Sequence, residues 1–344
     1  MRQTVVFPSG SVDYIFQSSV EELLKGYEKG MAVIITNEHL FKLYPHLFKQ
    51  HKTLVLPPVE SSKDLRTIDS LAKQLLEAEA TRKTTLIGIG GGVVTDITGF
   101  LASVYMRGVS FGFVPTTLLG MVDAAIGGKN GVNLGFNKNI LGTISQPDFI
   151  LYDMAFLQSL PNVEWSNGFA EIIKYACIFD ADLFTLLEGK NISHYKNDIA
   201  DLISLVDRCA VWKNKTVIAD EHETGDRKLL NFGHTAAHAI ENLYDLPHGK
   251  AVAIGMVIAA MLSEKISGLK TEDTHRLKEL LELYNLPVHQ KVNTYKAMEI
   301  LKMDKKRNNE NVDYIVLEAI GRAAIRSLPL TIIETVFTDY ESHN

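Results

Sequence analysis

Thr85-Leu86-Ile87-Gly88-Ile89-Gly90-Gly91-Gly92-Val93-Val94-Thr95-Asp96 runs from a short apolar stretch, through glycines, into a helical pattern. The apolar run has strand length, and the residues after it are long enough for a helix. Glycines at such a turn let the backbone approach a phosphate closely, and a helix start offers open N–H groups and a favourable dipole. Val93 stands where the last glycine of GxGxxG would be, so the match is to strand–turn–helix context and not to that fingerprint. The stretch predicts a parallel α/β sheet with nucleotide or pyrophosphate binding at the turn, against the plainer reading of a tight turn with no ligand.

Working outward, the same pattern recurs. Strands are predicted at Met31–Thr36, Lys52–Leu56, Thr85–Ile89, Val109–Val114 and Phe149–Tyr152, each apolar and bounded by turn residues. Helical stretches, Asp64–Ala80 and Val93–Tyr105, lie between them. That alternation implies a mostly parallel sheet covered by helices over residues 1–155. Beyond Asp153 strand-like runs almost vanish. Helices are predicted at Glu164–Phe179, Ile199–Ala219, His234–Leu243, Gly249–Ser267 and Thr271–Tyr284, with Asp313–Leu317 as an isolated strand. Residues 156–344 therefore read as a mainly α-helical second domain. Clefts between domains are common ligand sites.

The 344 residues suffice for two cores. Charged residues make up 22%, and the formal net charge of −6 excludes a basic nucleic-acid-tracking protein. An anionic substrate must then be met by local cations. Met1–Gly10 carries no secretory pattern, and the apolar run Ala251–Leu262 is too short to span a bilayer, so a cytoplasmic protein without membrane association is expected. Cys177 and Cys209, without metal spacing, read as reduced core thiols.

Chemistry gathers in a few places. His234 and His238 lie four apart in Asn231-Phe232-Gly233-His234-Thr235-Ala236-Ala237-His238-Ala239-Ile240-Glu241, on one face of a helix, with His248 close behind. Glu171 and Lys174 share a helix face among apolar neighbours, where a carboxylate needs a partner or a task. Glu171 with two of His234, His238 and His248 would make a one-carboxylate, two-imidazole metal shell with open positions. Pro115-Thr116-Thr117 follows a strand end and could touch a ligand or cap a helix. Asp123 to Asn133 reads as a polar, glycine-rich loop whose Lys129 suits an anion, as does Lys138 in Asn137-Lys138-Asn139. No HExxH is present.

Taken in order, Gly90–Asp96, Tyr105-Met106-Arg107-Gly108, Pro115–Leu119, Asp123–Asn133, Gly168–Lys174, Asp220–Arg227, Leu230–Glu241, His248-Gly249 and Asp304-Lys305-Lys306 resemble the 3-dehydroquinate synthase family of sugar phosphate cyclases. The resemblance implies a Rossmann-like α/β N-terminal domain and a mainly α-helical C-terminal domain. It also implies conversion of 3-deoxy-D-arabino-heptulosonate 7-phosphate to 3-dehydroquinate and phosphate, the second shikimate-pathway step. The route would be transient oxidation by NAD, phosphate elimination, reduction, ring opening and aldol closure. The cofactors implied are NAD and one divalent metal ion, Zn²⁺ or Co²⁺, and the assembly a homodimer acting on a phosphorylated sugar acid.

By the same resemblance, Glu171, His234 and His248 are metal ligands, which leaves His238 for proton transfer beside the metal. Lys129, Glu223 and His238 take catalytic roles. Arg107, Asp123, Lys129, Lys174, Lys213, Arg227, Asn231 and His238 form the substrate set. Asn37, Glu60, Lys63, Gly91, Gly92, Val93, Asp96, Thr116, Thr117, Lys138, Asn139, Phe156 and Ser159 form the cofactor set. One of Lys305 and Lys306 matches a substrate-contacting lysine. Asn130 stands where threonine is frequent, Asn37 where aspartate is, and Lys250 where glutamate is. The rivals are another sugar phosphate cyclase, a metal-dependent polyol dehydrogenase and a non-catalytic binding paralogue.

Overall fold

The computed structural model describes residues 2–28, 30–57, 60–135, 137–305 and 311–342, with the backbone alone for 303–305. Its strands are β1 Arg2–Phe7, β2 Gly10–Phe16, β3 Ala32–Asn37, β4 Lys52–Leu56, β5 Thr85–Gly90, β6 Phe111–Pro115, β7 Lys129–Leu134, β8 Asn137–Ile144, β9 Phe149–Tyr152, β10 Asn311–Ala319 and β11 Arg322–Pro329. Two compact units result: Met1–Leu160 with Ile203–His222, and Pro161–Leu202 with Glu223–Asn344. A single cut near residue 155 misses the return of Ile203–His222 to the first unit. The Ile199–Ala219 helix runs on without a break there, so periodicity carries no mark of the change.

In the first unit a seven-stranded sheet has the order β1-β2-β9-β6-β5-β3-β4. Every neighbouring pair is parallel except the β1–β2 edge hairpin. The inner strands are apolar without alternation because helices cover both faces: Leu86, Ile87 and Ile89 of β5 and all of β6 are buried. The edge hairpin has no counterpart among the predicted strands, since its outer strand leaves Val6 exposed and shows little apolar pattern. The run Asp123–Asn133 is likewise not one loop. It opens on the end of a π-helical turn, Gly120–Ala124, and runs into β7, which pairs with β8 as a separate antiparallel ribbon.

In the second unit the His248–Ser267 helix is buried on all sides from Ala251 to Ala260. It packs on the Asn162–Phe179 and His234–Tyr244 helices and on β10. Asp313–Leu317 is not isolated. It lies in β10, which pairs with β11. Gly321 at the turn has φ +81°, its amide donates to the Cys177 carbonyl (2.8 Å), and an added Cβ would stand 2.6 Å from the Ala181 nitrogen. Only glycine suits that corner. Cys177 and Cys209 are buried free thiols. Among the described residues no helix is long and apolar enough to cross a membrane.

Candidate active site

Within the second unit, three helices bring Glu171, His234 and His248 to one point. Glu171 sits mid-helix in Asn162–Phe179 and is fully buried. His234 and His248 are the first residues of their helices. The Glu171 Oε1 atom lies 3.1 Å from His248 Nε2 and 3.5 Å from His234 Nε2, and one donor atom from each residue falls within 4.8 Å of the others. Gly233, at φ +79°, turns the chain into the His234 helix. An added Cβ on its contact partner Gly255 would lie 2.0 Å from the Gly233 carbonyl oxygen. The His234 helix therefore meets the His248 helix backbone to backbone.

The electrostatics suit a cation. Burial pushes the Glu171 carboxyl up, but Lys174 and the two imidazoles outweigh it and hold the group well below the usual carboxylate range. Glu171 Oε2 faces the Lys174 ammonium in an ion pair and lacks a hydrogen bond of good geometry, although it is buried. His234 Nδ1 lies 3.2 Å from the Phe232 carbonyl, so it can donate there and present Nε2 as a lone-pair donor. His248 Nδ1 stands 4.0 Å from Glu241 Oε2, the place of an outer carboxylate partner. One buried carboxylate and two imidazoles with outer partners are a fitting donor set for Zn²⁺ or Co²⁺. A second group, His194, Asp198 and Asp201, is less suited. Its Asp201 already pairs with Lys190 and lies 2.6 Å from His194 Nε2.

A cavity of about 370 Å³ opens beside the triad, lined by Glu223, Lys228, Asn231, His234, Thr235, His238, Leu301, Asp313 and Ile315. The His238 and His234 ring centroids are 5.9 Å apart. Asn231 Nδ2 donates to Glu223 Oε1 (2.7 Å), which orients a glutamate whose own backbone is left-handed at φ +58°. A non-glycine residue in that region costs free energy and often marks a functional position. Arg227 and Lys174 are both buried cations of this unit. Lys228 and Asp313, paired at 3.0 Å across the cavity wall, went unnoticed in the sequence, because nothing local links positions 85 residues apart.

Within the first unit the predicted cofactor residues divide. Glu60, Lys63, Asp96 and Asn139 join one network: Lys63 pairs with Asp96 and donates to Asn139 Oδ1 (2.5 Å), Asn133 Nδ2 donates to Glu60 Oε1 (3.0 Å), and the Asn139 amide donates to Asn133 Oδ1 (2.9 Å). Asn133, absent from the predicted set, links the network. Beside it stands the glycine turn. An added Cβ would meet Val94 at 2.5 Å on Gly90 and Thr117 at 3.1 Å on Gly91. At the start of the Gly92–Val104 helix the Val94 and Thr95 amides donate to the Gly91 carbonyl (2.9 and 3.1 Å), which leaves Gly92 and Val93 as the amides without an intrahelical acceptor.

Other members of the set have roles inside the fold. Thr117 Oγ1 accepts from the Gly120 amide (3.0 Å) and Asn37 Oδ1 from the Leu40 amide (2.9 Å), both helix caps. Phe156 is core, edge-on to Tyr44 at 5.2 Å, and Ser159 Oγ lies 2.8 Å from the Tyr44 hydroxyl. Thr116 is buried, and its amide donates to the Gly90 carbonyl (3.0 Å). Lys138 is exposed.

Four residues of the predicted substrate set are also here. Lys213 Nζ donates to Asp123 Oδ1 (2.6 Å) and to its carbonyl (2.7 Å). Lys129 and Arg107 are exposed, and Arg107 follows Met106 through consecutive left-handed conformations, φ 66° and 48°. Lys306 lies outside the described residues, and Lys305 is described in its backbone alone.

Two family patterns match adjoining stretches of the chain. The 3-dehydroquinate synthase N-terminal pattern covers residues 53–167, and its C-terminal counterpart covers 168–307. This chain belongs to the 3-dehydroquinate synthase family. It is 39% identical to a 3-dehydroquinate synthase of Campylobacter concisus over 318 residues, covering 90% of this chain and 91% of that one. With the Pyrococcus furiosus 3-dehydroquinate synthase it shares 39% over 324 residues, covering 92% and 94%. Its fold superimposes with a TM-score of 0.89 on 2-epi-5-epi-valiolone synthase of Streptomyces hygroscopicus, solved with NAD⁺ and Zn²⁺, at 26% identity and covering 99% and 100% of the two chains.

Proposed function

We propose that this family member is a catalytically active 3-dehydroquinate synthase, a carbon–oxygen lyase that converts 3-deoxy-D-arabino-heptulosonate 7-phosphate to 3-dehydroquinate and phosphate. The observation that carries the reading is the convergence of Glu171, His234 and His248 beside a cavity lined by Glu223, Asn231 and His238. We assign the triad to one divalent ion, Zn²⁺ or Co²⁺. NAD is assigned to the first unit's glycine turn (Gly91, Gly92, Val93) and the Glu60–Lys63–Asp96–Asn139 network, with Asn133 added. The assignment of Asn37, Thr116, Thr117, Lys138, Phe156 and Ser159 to NAD rests on resemblance alone. When bound, NAD takes up and returns a hydride, and the ion polarises a substrate oxygen.

The chain's own groups then divide the remaining work. Glu171 is held as a carboxylate by Lys174, so no proton competes for its oxygens. His238, facing the cavity next to His234, moves protons, and Glu223, oriented by Asn231, serves the same proton traffic. Lys174 and Arg227 offer positive charge to the substrate's anionic groups, and Arg107, Asp123, Lys129 and Lys213 are assigned to substrate by resemblance. The fixed cavity walls hold the substrate's reacting ends for intramolecular closure. The proposal extends to a cytoplasmic homodimer. The buried free thiols support the compartment, and sedimentation would test the dimer.

The test is one assay. The heptulosonate phosphate should yield phosphate and 3-dehydroquinate with no net NADH, and a chelator should abolish both. Net NADH from a simple polyol would instead establish a dehydrogenase, and a different carbocycle would establish another cyclase.

A further inference from the structure

Asn167 lies one helical turn before Glu171 and is 5% exposed. Its Oδ1 accepts the Gly249 N–H at 3.1 Å, and its Nδ2 donates to Glu164 Oε2 at 3.2 Å. Gly249 is the second residue of the His248–Ser267 helix, where backbone N–H groups have no intrahelical acceptor. Pro247, the residue before that helix, provides no side-chain cap. A side chain from another helix, 82 residues away, thus does the capping.

The contact is close as well as polar. An added Cβ at Gly249 would stand 2.5 Å from the Asn167 Cα and 3.1 Å from its carbonyl oxygen, so the two backbones touch. Gly249 directly follows His248, and Asn167 shares a helix face with Glu171. The hydrogen bond therefore ties the backbone of one imidazole to the helix that carries the carboxylate, at the place where His248 Nε2 and Glu171 Oε1 are 3.1 Å apart.

We infer that Asn167 is a positioning residue of the metal triad: its carboxamide sets His248 against Glu171 before any ion arrives. It acts through the backbone and donates nothing to the ion. This inference rests on the triad assignment made above. Outer partners of metal ligands are commonly worth about 10- to 100-fold in metal affinity.

The experiment measures Co²⁺ and Zn²⁺ affinity of the full chain by chelator competition, together with the visible spectrum of the Co²⁺ form and the melting temperature of the metal-free form. Asn167→Ala and Asn167→Leu, which keeps the branched shape without the polar atoms, should each bind about 10- to 100-fold more weakly and shift the Co²⁺ bands. Asn167→Asp combined with Glu164→Gln keeps the acceptor for Gly249 and reverses the neighbouring donor. That pair should return affinity and spectrum to near wild type. A lowered melting temperature with unchanged affinity and bands in Asn167→Leu would make Asn167 a stability residue and overturn the inference. Failure of the exchanged pair to recover affinity would overturn it too. Glu171→Ala separates the two readings: affinity unchanged there sinks the triad itself, whereas affinity lost there but kept in both Asn167 variants sinks the positioning role alone.

Discussion

In the first unit Glu60, Lys63, Asp96, Asn133 and Asn139 reach one another through a chain of single hydrogen bonds and one ion pair, beside a turn whose working groups are backbone amides. In the second, Glu171, His234 and His248 meet atom to atom, and the backbones behind them touch at Gly233–Gly255 and Asn167–Gly249. An extended ligand can be held by many modest contacts, so each can be lost at moderate cost. A small ion draws its affinity from three donors at short range, so the scaffold must be stiff. Effects on binding should accordingly be shared in the first unit and concentrated in the second.

The largest expected effect tests that concentration. Glu171→Ala and His234→Ala should lower Co²⁺ affinity by more than about 100-fold, beyond what an outer partner contributes. His238→Ala should retain the ion and lose about 10²- to 10⁴-fold in turnover, the range for a proton-transfer group. Equal metal loss in His234→Ala and His238→Ala would make the two histidines twin ligands and erase the distinction. Next, Lys63→Met should weaken NAD binding about tenfold, ~1.4 kcal/mol, while Co²⁺ affinity stays unchanged. Calorimetry showing both ligands weakened would break the division of labour.

Gly249→Ala sharpens the stiffness argument. The new methyl would meet backbone at Asn167, which cannot rotate away, so a stability loss of about 1–3 kcal/mol is expected from thermal melts. The smallest effect belongs to Glu221, in the first unit. Its Oε1 accepts from Ser9 Oγ (2.5 Å) and Gln146 Nε2 (2.8 Å). Burial pushes the carboxyl up, but these donors prevail and hold it below its ordinary value. Its stabilisation should be full above the unfolded value of about pH 4.3 and vanish as pH falls through the lower folded value. Glu221→Gln should cost about 1 kcal/mol at pH 7, with the gap to wild type closing in acid. A constant gap across pH would assign the loss to packing.

Much of this was legible in the residues. The strand–glycine–helix run, the strands Lys52–Leu56 and Phe149–Tyr152, and the Ile199–Ala219 helix all follow from period and turn chemistry. These are local signals, and buried parallel strands carry them strongly. The outer strand β1 and the ribbon strand β8 did not announce themselves, because exposed strands need no apolar alternation and draw their stability from pairing.

The histidine segment shows where local reading ends. Four-residue spacing put His234 and His238 on one helix face, and no pattern could go further. Which imidazole turns toward Glu171 depends on where the Asn162–Phe179 and His248–Ser267 helices pack, and that packing is set by contacts such as Asn167 to Gly249, 82 positions apart. Sequence determined the elements and the supply of chemistry, since propensity and periodicity act over a few residues. Tertiary structure alone decided which groups share a point, because that depends on side-chain volumes and backbone clearances summed across the whole unit.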